Sequence, residues 1–241
     1  MRAIILAAGT GSRLRAHTER PKCLLTLGDK HLIQHQIDAL LALGIDDIHV
    51  ILGYRSDDVS RVLPPGIQRY VYPGFADTNN LWTLAAFAPL LSGPCMILFA
   101  DVWADSDALS DLVRTEADIA VLADGRACLA GTMRLLAQGE RLLDIGSHIT
   151  MELGDGNFIG IARFSARAAS ALGDRIVDCV RRGEGRQAYY TAVIPDLTAA
   201  FPALIVWMRG RRWIEIDCEE DLRRAQRLPI ASPTPALAVT A

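Results

Sequence analysis

The chain has 241 residues, 51% of them hydrophobic and 22% charged, with a formal net charge of −3. That length and apolar fraction allow one large or two small globular domains with a substantial core. The slightly acidic balance, with no basic patch along the sequence, excludes a role built on binding long nucleic acid and points to a small-molecule partner.

The five cysteines, Cys23, Cys95, Cys128, Cys179 and Cys218, are scattered, odd in number and never spaced C-x-x-C. Such usage fits a reducing cytosol and argues against a zinc site. No apolar run approaches the roughly 20 residues of a membrane helix, and "AIILAAG" is too short and glycine-broken for a signal sequence. The expectation is a soluble, cytoplasmic protein with no membrane partner.

The first element, "AIILAA", is an apolar run of strand length that breaks into "AAGTGSRLR". Small residues and two glycines behind a strand let backbone N–H groups face an anion with no Cβ in the way, and Arg13 follows within reach. The functional reading is a phosphate-binding loop. The spacing is neither G-x-G-x-x-G nor G-x-x-x-x-G-K-[ST], so it supports neither a dinucleotide fold nor a P-loop motor, and an ordinary βα turn stays open. In "RPKCLL", Pro21 fixes the backbone ahead of Lys22, and a leucine run suited to burial follows. A lysine held that way beside a glycine loop suits a triphosphate; a solvated surface lysine is the alternative.

"HLIQHQIDALLALG" predicts a scaffold helix with Leu32, Ile33, Ile37, Leu40 and Leu41 on one stripe, its two histidines facing solvent and Gly44 as its stop. Strands follow at "DIHVILG", "IQRYVYP", "CMILFAD" and "DIAVLAD", with amphipathic helical stretches between most of them. Alternating β and α units predict an α/β, doubly wound, largely parallel (mixed) sheet. In the second half "CLAGTMRLL", "ERLLDIGS" and "NFIGIARF" read as strands, and "RAASALGDRIVDCVRRG" and "QAYYTAVIPDLTAAF" as helices. "ALIVWMRG" and "RWIEID" read as a closing hairpin before a last helix, "EEDLRRAQRL". With no repeat or linker between the halves, residues 1–228 are expected to form one domain and residues 229–241 a flexible tail.

Two carboxylates stand at strand ends: Asp101 closes "CMILFAD" and Asp217 closes "RWIEID". In an open α/β sheet the ligand crevice lies at the carboxyl ends of the strands, where both can meet the glycine loop. Together they can hold a hard divalent ion whose remaining positions are filled by phosphate oxygens and water, and Mg²⁺ is the natural candidate. Either alone also reads as a helix N-cap, Asp217 before "CEEDL" especially so.

At this point "AIILAAGTGSRL", "RPKCLL", "FADV" and "EID" before a helix resemble the nucleotidyltransferase superfamily that activates sugar phosphates and small phosphorylated alcohols. Within it, "NNLWTL", from Asn79 to Leu84, is similar to the asparagine pair and hydroxyl segment of the phosphocholine and phosphonate cytidylyltransferases. The resemblance spans nearly the whole folded chain. It implies a Rossmann-like nucleotidyltransferase (GT-A-like) fold and a Mg²⁺-dependent enzyme that transfers CMP from CTP to a small phosphonate or phosphate acceptor, releasing pyrophosphate. Carried over by residue, Leu6, Ala7, Ala8 and Gly9 line the nucleotide, and Gly11, Ser12, Arg13 and Lys22 hold the phosphates, with Lys22 and Arg13 as the catalytic cations. Asp101 and Asp217 bind the metal. Asn80 lies by the nucleotide and Thr83 by the acceptor, while Asn79 also reads as a helix N-cap. Trp103, His148 and Tyr190 are the further acceptor candidates.

The chain departs from that pattern twice. "AYYTAVI" has Thr191 and Ala192 where relatives carry an acidic residue after the aromatic pair, and "LLDIGSHI" has Ser147 and His148 where relatives present a lysine. A quaternary ammonium is held by ring faces and carboxylates, so the expected acceptor is neutral or anionic rather than phosphocholine. His148 can act as a cation or hydrogen-bond donor, or sit on an exposed strand end. A sugar-1-phosphate nucleotidyltransferase using UTP, dTTP or GTP is the alternative enzyme, and a non-catalytic nucleotide-binding module the alternative of another class. A homodimer is compatible with the sequence but demanded by no feature of it.

Overall fold

In the computed structural model of this chain, residues 1–14, 18–126 and 133–228 are described, apart from the side chain of Arg13. The first seven strands are β1 (Arg2–Ala7), β2 (Thr26–Leu27), β3 (Lys30–His31), β4 (Ile48–Leu52), β5 (Gln68–Val71), β6 (Cys95–Phe99) and β7 (Val102–Ala104). The others are β8 (Ile119–Asp124), β9 (Arg134–Gln138), β10 (Arg141–Gly146), β11 (Gly156–Phe164), β12 (Ala203–Trp207) and β13 (Trp213–Glu215). The helices are α1 (Leu32–Ala42), α2 (Ser56–Val62), α3 (Asn80–Ala86), α4 (Ser106–Arg114), α5 (Ala166–Arg181), α6 (Ile194–Leu197) and α7 (Glu219–Ala225).

A nine-stranded sheet runs in the order β5-β4-β1-β6-β11-β8-β12-β10-β9, with β9 also pairing β11. The strands β5, β4, β1 and β6 are mutually parallel. β11 runs antiparallel between β6 and β8, and β12 lies parallel to β8. The result is the mixed, Rossmann-like α/β fold that the alternating β and α units predict. Strands β4, β6 and β8 are buried along their whole length, as continuous apolar strands are when both sheet faces are covered. From β1 the chain moves to β4 and β5 on one side and then crosses to β6 on the other. The crevice of such a sheet opens at that reversal, beyond the carboxyl ends of β1 and β6.

The second half differs from the sequence reading in places. The expected hairpin of "ALIVWMRG" and "RWIEID" does not form: β12 joins the large sheet, and β13 pairs antiparallel with β7, Glu215 opposite Val102 and Trp213 opposite Ala104. Positive φ at Arg209 and Gly210 turns the chain between them. Ile214 and Ile216 then bury in a second apolar cluster with Leu14, Leu25 and Trp103, while the Trp213 indole donates to buried Asp124 at 2.6 Å. That burial outweighs what a two-stranded hairpin offers by itself. On α1, His35 is buried rather than solvated, its Nε2 2.7 Å from the Leu27 carbonyl oxygen, and Leu41 is the member of the expected stripe left exposed. "QAYYTAVIPDLTAAF" yields only a 3₁₀ turn (Tyr190–Val193) and the single turn α6, where Pro195 is accommodated at the start because a first-turn residue has no intrahelical N–H bond to lose. Part of "CLAGTMRLL" and all of residues 229–241 lie outside the described residues. Among the described residues no helix is long and apolar enough to cross a membrane.

Gly160 ties the sheet to the crevice. It sits in β11 where the register against β8 shifts, with φ +82, and a Cβ there would lie 2.9 Å from Phe99 and 3.0 Å from Val102. Those two residues flank the turn that carries Asp101. Gly160→Ala therefore combines left-handed backbone strain with overpacking and should destabilise the protein by about 2 kcal/mol or more. In a thermal melt this appears as a Tm lowered by roughly 4–8 °C. An unchanged Tm would contradict the packing described.

Candidate active site

The site begins where β1 ends. After Ala7 the backbone opens through Gly9 and Thr10 to Gly11, whose φ of +60 is readily open only to glycine. A Cβ on Gly11 would also stand 3.2 Å from the Lys22 side chain, so the loop and the lysine stem lie against each other. The turn is closed by the Leu14 N–H donating to the Gly11 carbonyl at 2.9 Å, and Leu14 anchors it in the second apolar cluster. The loop thus lies between a buried strand and a buried leucine, with its backbone facing the cleft.

Lys22 opens a second 3₁₀ turn, Lys22–Leu24, started by Pro21 at φ −52 and fastened by Cys23 and Leu24, which are buried in the main core. The Cys23 thiol is pushed up to about 12, first by burial and then by nearby Asp101, so it stays protonated at neutral pH. The Lys22 ammonium contacts Asp101 Oδ2 at 3.2 Å and also pairs with Asp217 Oδ1. Burial by itself lowers the pKa of this ammonium, but attraction to Asp101 and Asp217 outweighs burial and holds it above the usual 10.5. The sign follows from that direction: the stabilisation is complete below pH 10.5 and is lost only as pH rises through the higher folded value. Lys22 is therefore a permanent cation at neutral pH.

The two aspartates come together through the backbone. The Ala100 N–H donates to the Leu6 carbonyl at 3.2 Å, which places the turn after β6 beside the end of β1. The Ile216 N–H donates to the Asp101 carbonyl at 3.0 Å, which sets the segment carrying Asp217 against Asp101. Asp217 is not the cap of α7; Cys218 is, and Asp221 Oδ2 accepts from the N–H groups of both Asp217 and Cys218 at 3.0 Å. Glu215 joins the pair: one carboxylate oxygen from each of Asp101, Glu215 and Asp217 lies within 4.8 Å of the others. Three carboxylate oxygens this close together form a hard-donor set that suits a divalent cation, and Lys22 supplies positive charge to two of them, Asp101 and Asp217.

These groups border one cleft of ≈ 360 Å³. Leu6, Ala7, Ala8, Gly9, Gly11 and Ser12 line it along the β1 end. Lys22, Asp101 and Asp217 line it across from Asn80 and Thr83. Asn79 caps α3, its side chain accepting from the Asn80 N–H at 2.8 Å, while Asn80 Oδ1 accepts the Tyr190 N–H at 2.8 Å. Three acceptor candidates stand elsewhere. Trp103 packs in the second apolar cluster with the Arg212 guanidinium 5.6 Å from its ring centre. His148 is exposed in the turn after β10 and pairs with Asp144 at 2.8 Å. Tyr190 is fully buried, edge-on to Phe99 and Phe164, and burial raises its phenol pKa far above the ordinary value. Its neighbour Tyr189 lines the cleft instead, with Gln187, Phe75 and Thr78. The side chain of Arg13 lies outside the described residues.

Sequence reasoning passed over Glu215 as a site residue. The signal was present: in an extended "EID", residues 215 and 217 point to the same side. Phe75, Thr78 and Gln187 carry no local sequence signal, because they reach the cleft only through the packing of their segments.

The chain is similar to known nucleotidyltransferases. The chain is 26% identical over 231 residues to the choline-phosphate cytidylyltransferase of Streptococcus pneumoniae, covering 95% of this chain and 98% of that one. It is 29% identical over 193 residues to the CTP:phosphoglutamine cytidylyltransferase of Campylobacter jejuni, covering 71% and 76%. The solved structure of the CTP:phosphocholine cytidylyltransferase LicC of Streptococcus pneumoniae matches with a TM-score of 0.79 at 25% identity, over 93% of this chain and 97% of that one. Residues 3–150, more than half of the chain, match the MobA-like NTP transferase domain. The chain therefore belongs to the MobA-like NTP transferase family and is a nucleotidyltransferase enzyme.

Proposed function

We propose that the enzyme is a Mg²⁺-dependent cytidylyltransferase that transfers CMP from CTP to a small phosphonate or phosphate acceptor whose head group is not cationic. The observation that carries this reading is the Lys22 ammonium held between Asp101 and Asp217 beside the glycine loop, with Glu215 as a third carboxylate close to both aspartates. Near-full-length similarity to a cytidylyltransferase supports CTP as the donor.

In this reaction an acceptor oxygen bonds to the α-phosphorus of CTP while the bond from that phosphorus to the bridging oxygen of the β-phosphate breaks, and pyrophosphate leaves with that oxygen. The nucleophile is already an oxyanion, so no side chain has to remove a proton. The obstacle is repulsion between two polyanions, which positioned cations and backbone dipoles overcome. Backbone N–H groups of residues 9–12 receive the phosphates, and the Lys22 ammonium exchanges its carboxylate partners for phosphate oxygens, with Arg13 as the second cation. Leu6, Ala7, Ala8 and Asn80 border the nucleoside. Asp101 and Asp217, with Glu215 as a third donor, would hold Mg²⁺. Bound there, the ion supplies charge neutralisation and polarises the α-phosphoryl group.

The acceptor preference follows from the opposite wall. Apart from Lys22, Asp101, Glu215 and Asp217, the described lining is aromatic, amide, hydroxyl, thiol or apolar. Thr191 is buried, its hydroxyl donating to Met133 Sδ at 2.8 Å, so it presents no charge to an ammonium head group. On this reading Tyr189, Gln187 and Thr83 meet the acceptor.

The test is pyrophosphate release from each NTP against phosphocholine, 2-aminoethylphosphonate, hydroxylated and carboxylated phosphonates and sugar 1-phosphates. CTP with a neutral or anionic phosphonate or phosphate should exceed every other pairing by about tenfold or more in kcat/KM. Turnover confined to UTP or dTTP with a sugar 1-phosphate would overturn the donor assignment, and phosphocholine outcompeting every anionic phosphonate would overturn the acceptor assignment. Asp101→Asn should lower kcat by about 10²–10³-fold, the scale of one lost transition-state electrostatic contact, while the circular dichroism spectrum stays that of the folded protein. Unchanged turnover in a folded Asp101→Asn protein would remove Asp101 from the site.

A further inference from the structure

Helix α1 buries Ile33, Ile37 and Leu40, yet an amide sits on the same face: Gln36 is only 5% exposed. Its Nε2 donates to the Phe99 carbonyl at 2.8 Å and to the Val102 carbonyl at 2.7 Å. Those carbonyls bracket Ala100 and Asp101, so a single side chain clamps both ends of the turn that carries the carboxylate. The other half of the amide has no such employment: Gln36 Oε1 is buried with no hydrogen-bond partner among the described residues. An unpartnered buried oxygen is a desolvation cost that an apolar side chain would avoid, so filling space alone does not call for an amide here. The clamp also extends beyond Asp101, because the Asp101 carbonyl accepts the Ile216 N–H between Glu215 and Asp217.

We infer that Gln36 is a positioning residue for the metal site: its two hydrogen bonds fix the turn from Phe99 to Val102 and so aim the Asp101 carboxylate at the point shared with Asp217 and Glu215. Gln36 itself touches neither substrate nor metal. The inference rests on the divalent-metal reading of the cleft. It explains why an apolar helix devotes a buried position to the backbone of a distant turn, since groups that orient a metal ligand hold the coordination geometry in place.

The test is a Mn²⁺ titration of the protein with equimolar CTP and no acceptor, followed by the electron paramagnetic resonance signal of free Mn²⁺ at a temperature well below every Tm, with the titration of CTP alone as the baseline. Gln36→Met keeps the side-chain length and removes both donors, and should weaken Mn²⁺ binding by about 10-fold or more, the usual scale for losing a group that orients a metal ligand. Gln36→Asn keeps the amide one methylene short and should fall between the two; it also serves if the methionine variant does not fold. Wild-type Mn²⁺ affinity in folded variants whose only change is a lower Tm would reduce Gln36 to a packing role and overturn the inference. Absence of Mn²⁺ binding beyond that of CTP alone by the wild-type protein would remove the metal reading itself, and the inference with it, whereas CTP selectivity is measured separately.

Discussion

One ammonium joins three parts of the chain that are far apart in sequence. Lys22 reaches Asp101 across 79 residues and Asp217 across 195. Asp101, Asp217 and Glu215 bring three like charges into a partly buried cleft, an arrangement that electrostatics disfavours unless cations are close by. The Lys22 ammonium offsets that repulsion at Asp101 and Asp217. In the proposed reaction the same charge receives the triphosphate, so stability and function would draw on one ammonium.

The sheet supplies the framework for that contact. The reversal of strand order around β1 leaves a crevice where the glycine loop and the turn after β6 face each other. Backbone hydrogen bonds from Ala100 to Leu6 and from Ile216 to Asp101 set the spacing, and Gly160 lets β11 pass close beneath the same turn. Along the opposite wall, Asn79 and Asn80 contribute to structure before any ligand arrives, one capping α3 and the other holding the Tyr190 backbone.

Much of this was legible in the sequence, and the reasons are physical. Buried strands leave continuous apolar runs, so β1, β4, β6 and β8 stood out, and Gly9, Gly11, Pro21, Lys22 and Asp101 lay at the punctuation between them. The second half was less legible because its pairing partners are non-local. β13 abandons β12 for β7, a choice made by the burial of Ile214 and Ile216, which no hairpin rule contains. The same pairing sets Trp103 opposite Ile214 and Val102 opposite Glu215, which puts the indole into the apolar cluster and the carboxylate on the cleft side. For the tyrosine pair, sequence gives two adjacent rings and no means of choosing between them; the core takes Tyr190 and the cleft takes Tyr189. Gln36 was invisible for a similar reason, since its partners are backbone carbonyls whose positions exist only in the folded sheet.

The most direct measurement is a crystal structure of the protein with CTP and Mg²⁺. The account predicts the triphosphate against the backbone of residues 9–12, with the Lys22 ammonium moved from Asp217 to a phosphate oxygen and the metal bound by Asp101 and Asp217. A nucleotide bound outside this cleft, with Lys22 still lodged between the two aspartates, would contradict it.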